Sequence, residues 1–273
     1  MPQAEAFLKE QEPYCPGAAA RFIGDAGNHV WVSPLPALLM YSRRTLYPVF
    51  HLPRDAAGEF MARGVSLPPF FSLIQSGAPL HAMQGLAEDV DLLEISLNRK
   101  GFFASSSCDY ELHSFDGILP RDDRGLPGLV IRRPEAADID CLFPLQQDYE
   151  VQEVIPEGAV FNPAVCRRTL ELLVGEGTML IAELEGRIAG KININAQSFT
   201  RFQIGGVYVI PQLRNLGIAR AMTAALIRKY GPLKQKFSLF VKKTNVPARR
   251  VYRSIGFAKI ADYRINYYLR AQS

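Results

Sequence analysis

Residues 207–226 read "VYVIPQLRNLGIARAMTAAL". A β-branched run stops at Pro211 and Gly217 opens an alanine-rich helical stretch, so the chemistry available at this junction is that of the backbone. A strand, a tight turn and a helix N-terminus leave several peptide N–H groups without partners at the positive end of a helix dipole. Corners of this kind hold phosphate groups. The candidate donors are the N–H groups of Asn215, Leu216, Gly217, Ile218 and Ala219. Gly217 lacks the Cβ that would block close approach, small Ala219 keeps the helix start open, and Arg214 adds charge at the same end. Arg220 reads as a solvated helix residue. Ile218, Met222 and Ala225 recur at i, i+4 and i+7 and read as core.

The elements that must hold this corner lie on both sides of it. "FQIGGVYVI" (202–210) is a strand in which Gly205 and Gly206 mark a bulge or a close backbone approach. A helix over about 217–230 follows, then the strand "FSLFVKK" (237–243), the helix "PARRVYRSI" (247–255) and a final pair of strands through "INYYLR" (265–270). Asn245 is placed to cap the helix that begins near Pro247. Upstream, "LVIRR" (129–133) is a strand and "EAADIDCLFPLQQDY" (135–149) a helix broken or kinked at Pro144. Asn162 caps a further helix, with Pro163 at its first position and Val165, Leu170 and Leu173 along one face. "TMLIAEL" and "RIAGKININAQ" (178–197) form a hairpin. The order β, α, α, β, β, β, α, β, α, β, β defines an α/β chain with a mixed sheet.

At 273 residues the chain is long for one domain and comfortable for two. The Gly- and Pro-rich stretch "DGILPRDDRGLPG" (116–128) separates an N-terminal α/β domain, 1–120, from a second domain, 129–273. An apolar fraction of 48% provides an ample core. No apolar run approaches the roughly 18 residues of a membrane span, and "MPQAEAFLKEQEPY" lacks a secretory pattern, so a cytoplasmic location is expected. Cys15, Cys108, Cys141 and Cys166 are too widely spaced for CxxC chemistry and read as reduced and structural, with Cys141 and Cys166 in helical stretches where buried thiols are common. His29, His51, His81 and His113 are too scattered to hold a metal.

Charge is unevenly spread. From residue 201 onward 15 Lys and Arg stand against a single acid, Asp262, so that this part carries about +14 and residues 1–200 about −10. A solvated basic face, a phosphorylated cofactor and nucleic acid are the three readings. The aromatic interleaving of an RNA platform and a helix-turn-helix are both missing, which disfavours nucleic acid.

Residues 129–273 resemble the GNAT superfamily of N-acetyltransferases. The order of elements is that of the family, and its cofactor motif, [Q/R]-x-x-G-x-[G/A], stands as Arg214-Asn215-Leu216-Gly217-Ile218-Ala219 between a Val-rich strand and a helix. A second signature is carried by Asn245, Ala248, Tyr252, Gly256 and Phe257. The resemblance implies acetyl transfer from acetyl-CoA to a primary amine of a small molecule or peptide, by direct attack in a ternary complex and with no metal. The strand around Val207, Tyr208 and Val209 would receive the pantetheine arm as an added strand, and one of its N–H groups would polarise the thioester carbonyl.

By the same resemblance Tyr252 is the general acid toward the departing thiolate; the other reading of Tyr252 is an aromatic packed one turn after Ala248. Asn245 serves as helix cap, as cofactor contact, or as both. Asp148, Glu150, Glu153 and Glu157 fall in the segment that borders the acceptor site in the family. They suit a cationic amine, and Glu153 is the candidate base, set against a merely solvated acidic loop. A non-catalytic acyl-CoA sensor is the alternative function, and a nucleic-acid-binding protein a more distant one. In the first half, "LLEISLNRKGFFASSSCDYEL" (92–112) parallels residues 248–269 as helix, Gly-Phe and Tyr-bearing strand, and residues 38–52 look like a hairpin. A degenerate GNAT-like repeat without the cofactor motif is expected there.

Overall fold

The computed structural model describes residues 2–24, 28–32, 38–42, 49–51, 80–120, 125–233 and 236–268. Two compact units divide the chain, one of residues 1–112 with 260–273, the other His113–Lys259. The first contains α1 (Pro2–Glu10), α2 (Pro16–Gly24), β1 (Asn28–Val32), β2 (Leu38–Ser42), β3 (Val49–His51), β4 (Ala82–Leu86), α3 (Ala87–Asn98) and most of β5 (Ser106–Phe115). The hairpin expected over 38–52 is present as the antiparallel pair β2–β3, with Leu38 opposite His51; its turn lies outside the described residues.

The second unit runs β6 (Leu129–Arg132), α4 (Ile139–Tyr149), α5 (Pro163–Gly175), β7 (Met179–Leu184), β8 (Arg187–Gln197), β9 (Arg201–Val209), α6 (Ile218–Tyr230), β10 (Lys236–Lys242) and α7 (Val246–Ile255). The last strand, β11 (Ala258–Tyr267), passes into the first unit, where it pairs antiparallel with β4. Within the second unit the strand order is β10-β9-β8-β7-β6. Three antiparallel pairings are followed by the parallel pair β9–β10, which needs a crossover, and α6 supplies it.

Alternation along β7 shows how the layers form. Met179 and Ile181 pack with Leu142 of α4 and Leu170 of α5, while Leu180 and Ala182 join the core of Met222, Leu226, Phe202, Phe237 and Tyr252. All four side chains are buried because helices cover both faces of the sheet.

Several local expectations change. The helix over 139–149 runs through Pro144 unbroken; its geometry alters later, where Glu150–Val154 widens into a π turn closed by Ile155 N–H donating to Glu150 O at 2.8 Å. Asn162 caps α5 as expected, its Oδ1 accepting from Ala164 and Val165 at 3.1 Å each. Val165 is nevertheless 60% exposed, since the inward stripe of α5 is Cys166 and Leu170, one turn apart. Cys141 is exposed as well, whereas Cys166 is buried.

The two Gly-Phe sequences adopt one local structure. Gly101 (φ 84°) and Gly256 (φ 109°) stop α3 and α7 in the left-handed region. In each case the next Phe donates to the carbonyl five residues back, Phe102 to Leu97 and Phe257 to Tyr252, both at 3.1 Å. This is the hydrogen-bond pattern of a helix stopped by a left-handed glycine, which accounts for the shared residues. No described helix is long and apolar enough to cross a membrane. Among the described residues no group of three or more His, Cys, Asp and Glu could hold a metal ion.

Candidate active site

The strand β9 has one edge on β8 and the other on β10, and the second pairing stops early. Residues 201–204 pair with 236–239, and the register ends at Ile204 and Leu239 although both strands continue. From Gly205 to Val209 the edge of β9 is therefore unpaired on the β10 side. On the β8 side the register slips between Lys191/Tyr208 and Asn193/Gly205, leaving Gly206 and Val207 opposite Ile192 as a bulge. Gly206 sits at φ 60°, and a Cβ there would lie 1.7 Å from Asn193 Oδ1; at Gly205 one would lie 1.9 Å from Asn195 Nδ2. Gly206 is held to glycine by its left-handed backbone as well as by its surroundings, whereas at Gly205 the obstacle is the movable end of the Asn195 side chain.

The end of β9 leads into the turn that raised the phosphate question. Asn215 (φ 66°) and Gly217 (φ 83°) are both left-handed. The N–H groups of Asn215 to Ala219 form no backbone hydrogen bond among the described residues, as at the start of any helix, where the first N–H groups have no intrahelical acceptor. Arg214, Asn215, Leu216 and Gly217 are exposed, and nothing lies within 4 Å of where a Gly217 Cβ would be. Arg214 also anchors the turn to the strand end, its Nε donating to Val209 O at 3.0 Å. Arg220, expected to be solvated, donates to Ser254 Oγ and O at 2.9 and 3.1 Å and ties α6 to α7. Ile218 and Met222 are buried in the core.

Tyr252 is buried on α7, edge-on to Phe257 at 5.9 Å between centroids. Its hydroxyl has no hydrogen-bond partner among the described residues. Burial, with Tyr149 and Glu153 adding to it, pushes this phenol up, so it is protonated at neutral pH. A group in that state is an acid. Asn245 caps α7 by accepting from Ala248 N–H at 3.1 Å, and its Nδ2 donates to Glu153 Oε1 at 3.2 Å. The other Glu153 oxygen lies 3.6 Å from Lys242 Nζ, which also donates to Gln152 O at 2.7 Å. The π turn thus reaches the end of β10 and the start of α7. Tyr208 donates to Asp148 Oδ2 at 3.1 Å, and its ring lies 5.5 Å from the Arg214 guanidinium. Glu157 is exposed and makes no contact of this kind among the described residues.

Two residues that the sequence pattern did not single out stand beneath the bulge. Tyr149 Oη accepts from Gly206 N–H at 3.3 Å, and Lys191 Nζ, fully buried, donates to Gly206 O at 3.0 Å while lying 4.3 Å from the Tyr149 ring. Desolvation draws the Lys191 amine down to about 7 against the opposing pull of Glu150 and Cys166. Burial pushes Tyr149 up to about 12. The signal was a lysine within the apolar run "RIAGKININ", where a charged side chain has no solvated face to occupy.

The unpaired edge of β9 thus leads into a helix start whose first N–H groups have no backbone partner among the described residues. Likeness to known proteins gives the family. The family model described as "Acetyltransferase (GNAT) family" matches residues 142–257, so that this part of the chain is a GNAT acetyltransferase domain. No curated protein matches it in sequence. Solved structures share its fold along most of its length. A GCN5-related N-acetyltransferase from Sphaerobacter thermophilus superposes with a TM-score of 0.59 at 16% identity, over 96% of this chain and 92% of the other. Another from Kribbella flavida gives 0.58 at 14% identity, over 93% and 95%. A GNAT-family acetyltransferase from Colwellia psychrerythraea gives 0.54 at 8% identity, over 96% of each.

Proposed function

We propose that the protein transfers an acetyl group from acetyl-CoA to a primary amine by direct attack in a ternary complex. The observation that carries this is the continuity of the unpaired edge of β9, Gly205 to Val209, with the free N–H groups of Asn215 to Ala219. A chain that has both amide and pyrophosphate groups finds a partner strand in the first and an anion cradle in the second. Val207, Tyr208 and Val209 would line the pantetheine arm. Arg214, Asn215, Leu216, Gly217, Ile218 and Ala219 would hold the pyrophosphate, and Asn245 would border the arm from the start of α7.

In this reading the amine attacks the thioester carbonyl, a β9 N–H receives the developing oxyanion, and Tyr252 gives its proton to the departing thiolate. Glu153 takes the proton of the amine, directly or through water. The exposed acids Asp148 and Glu157 around it favour a cationic acceptor. Residues 129–273 act as the acetyltransferase domain, and residues 1–120 are a degenerate GNAT-like domain, a reading that rests on the parallel between residues 92–112 and 248–269. The reaction takes place in the cytoplasm.

Calorimetry of the full chain with acetyl-CoA, followed by thiol release on a panel of small amines, amino acids and peptides, tests the proposal. Micromolar binding and turnover on at least one acceptor are expected. Absence of binding would overturn it, and binding without turnover on any acceptor would make the protein an acyl-CoA sensor.

A further inference from the structure

Lys191 has no part in the reaction as proposed above, yet it occupies a costly position. A lysine is almost never fully buried without a carboxylate partner, since removing an ammonium from water costs several kcal/mol. Here the amine's hydrogen bond goes to a backbone carbonyl, that of Gly206, at 3.0 Å. That carbonyl belongs to the residue at the centre of the β9 bulge.

The C=O of Gly206 and the N–H of Val207 form a single planar peptide group and point in opposite directions. A donor fixed on the oxygen sets the plane of the group and so the direction of the N–H. It also draws electron density toward the oxygen, which makes the N–H a stronger donor. The preceding peptide is held from the other side, by Gly206 N–H donating to Tyr149 Oη at 3.3 Å, and the Tyr149 ring lies 4.3 Å from Lys191 Nζ. Glycine at φ 60° has no steric preference that would hold this bulge in place. The two side chains do so instead.

We propose that Lys191 is a positioning residue for acetyl transfer: through the carbonyl of Gly206 it orients and polarises the Gly206–Val207 peptide, so that the bulge of β9 presents its N–H to the thioester carbonyl. This rests on the acetyl-CoA reading of β9. It assigns the carbonyl-polarising donor to Val207 and gives a function to a lysine that would otherwise only destabilise the fold.

The amine can also change charge without leaving its place. Facing it are Tyr149 and Glu150 at the end of α4, Cys166 on α5 and the Gly206 carbonyl on β9. Its ordinary value of 10.5 is drawn down to about 7 by desolvation. Over neutral pH the hydrogen bond to Gly206 passes from a charge-assisted form to a weaker neutral one.

The test is the infrared carbonyl band of acetyl-CoA labelled with ¹³C at the thioester carbon, bound to the full-length protein. In the wild type the band is expected to move to lower frequency than in water. Lys191→Met, which keeps length and loses the donor, should return it most of the way while the calorimetric dissociation constant stays within about threefold. Thiol release on the acceptor found above should fall at least tenfold with KM little changed. An unchanged band in a folded Lys191→Met protein overturns the inference. Should that variant fail to fold, the wild-type band followed from pH 6 to 9 decides: a loss of red shift as pH rises supports it and a flat profile overturns it. If the wild type does not bind acetyl-CoA at all, it is the acetyl-CoA reading that has failed.

Discussion

Asn245 Oδ1 accepts from the helix it caps while its Nδ2 donates to Glu153 Oε1 at 3.2 Å, so the amide joins the start of α7 to the π turn after α4. The helix that carries Tyr252 and the turn that carries the proposed base are therefore held by one side chain. Widened turns of this type occur at functional sites because they redirect side chains that a regular helix would carry past. Glu153 is aimed at Asn245 and Lys242 in this way.

If Glu153 removes the proton of the amine, Glu153→Gln keeps the bond to Asn245 and loses the base. kcat should fall by about 10² or more, with acetyl-CoA affinity retained. Steady-state kinetics with calorimetry checks this. Unchanged kcat together with a lowered unfolding midpoint would leave Glu153 as a tie between the turn and α7.

Tyr252→Phe removes one oxygen and keeps the ring packed on Phe257. The hydroxyl has no protein partner among the described residues, so the fold should lose little. A general acid acts in the transition state, and kcat should fall about 10²–10⁴-fold at an unchanged acetyl-CoA dissociation constant. A kcat that survives where chemistry limits the rate removes Tyr252 from the mechanism.

Gly217 has open space where a Cβ would project and a φ of 83°. Gly217→Asn adopts left-handed backbone readily and should bind acetyl-CoA within about tenfold of the wild type. Gly217→Glu puts a negative charge at the cradle, adds about 1–2 kcal/mol of backbone strain, and should lose more than 10² in affinity while circular dichroism stays native. Equal binding by the two variants would dismiss the cradle.

Lys191 also predicts a pH dependence of stability. Its value is lowered on folding, so between about 7 and 10.5 the unfolded chain holds a proton that the folded one has released. Stability then rises with pH in that window, at up to about 1.4 kcal/mol per pH unit, and is flat below it. The urea midpoint of the wild type measured against that of Lys191→Met at pH 7 and pH 9.5 should move in favour of the wild type as pH increases. A constant difference would show that the amine does not titrate in this way.

Most elements of residues 129–257 and the glycine-opened corner after β9 were legible in the sequence, but the final pair of strands expected after them is the single strand β11. Pro211, Gly217 and the alanine-rich run fix where strand ends and helix begins because each acts within a few residues, and Asn162 and Asn245 cap the helices they were expected to cap for the same reason. Gly205 and Gly206 could be read as a close approach, though not what they approach. Tertiary structure decided the rest. The ending of the β9–β10 register at Ile204 and Leu239 depends on two strands separated by a whole helix. The contact of Lys191 and Tyr149 with Gly206 brings together three segments that share no local pattern. The π turn at Glu150 became visible only once its side chains had partners in β10 and α7. Exposure of Val165 and Cys141 turned on the rotation of their helices against the sheet, which a helical period leaves free by about one residue.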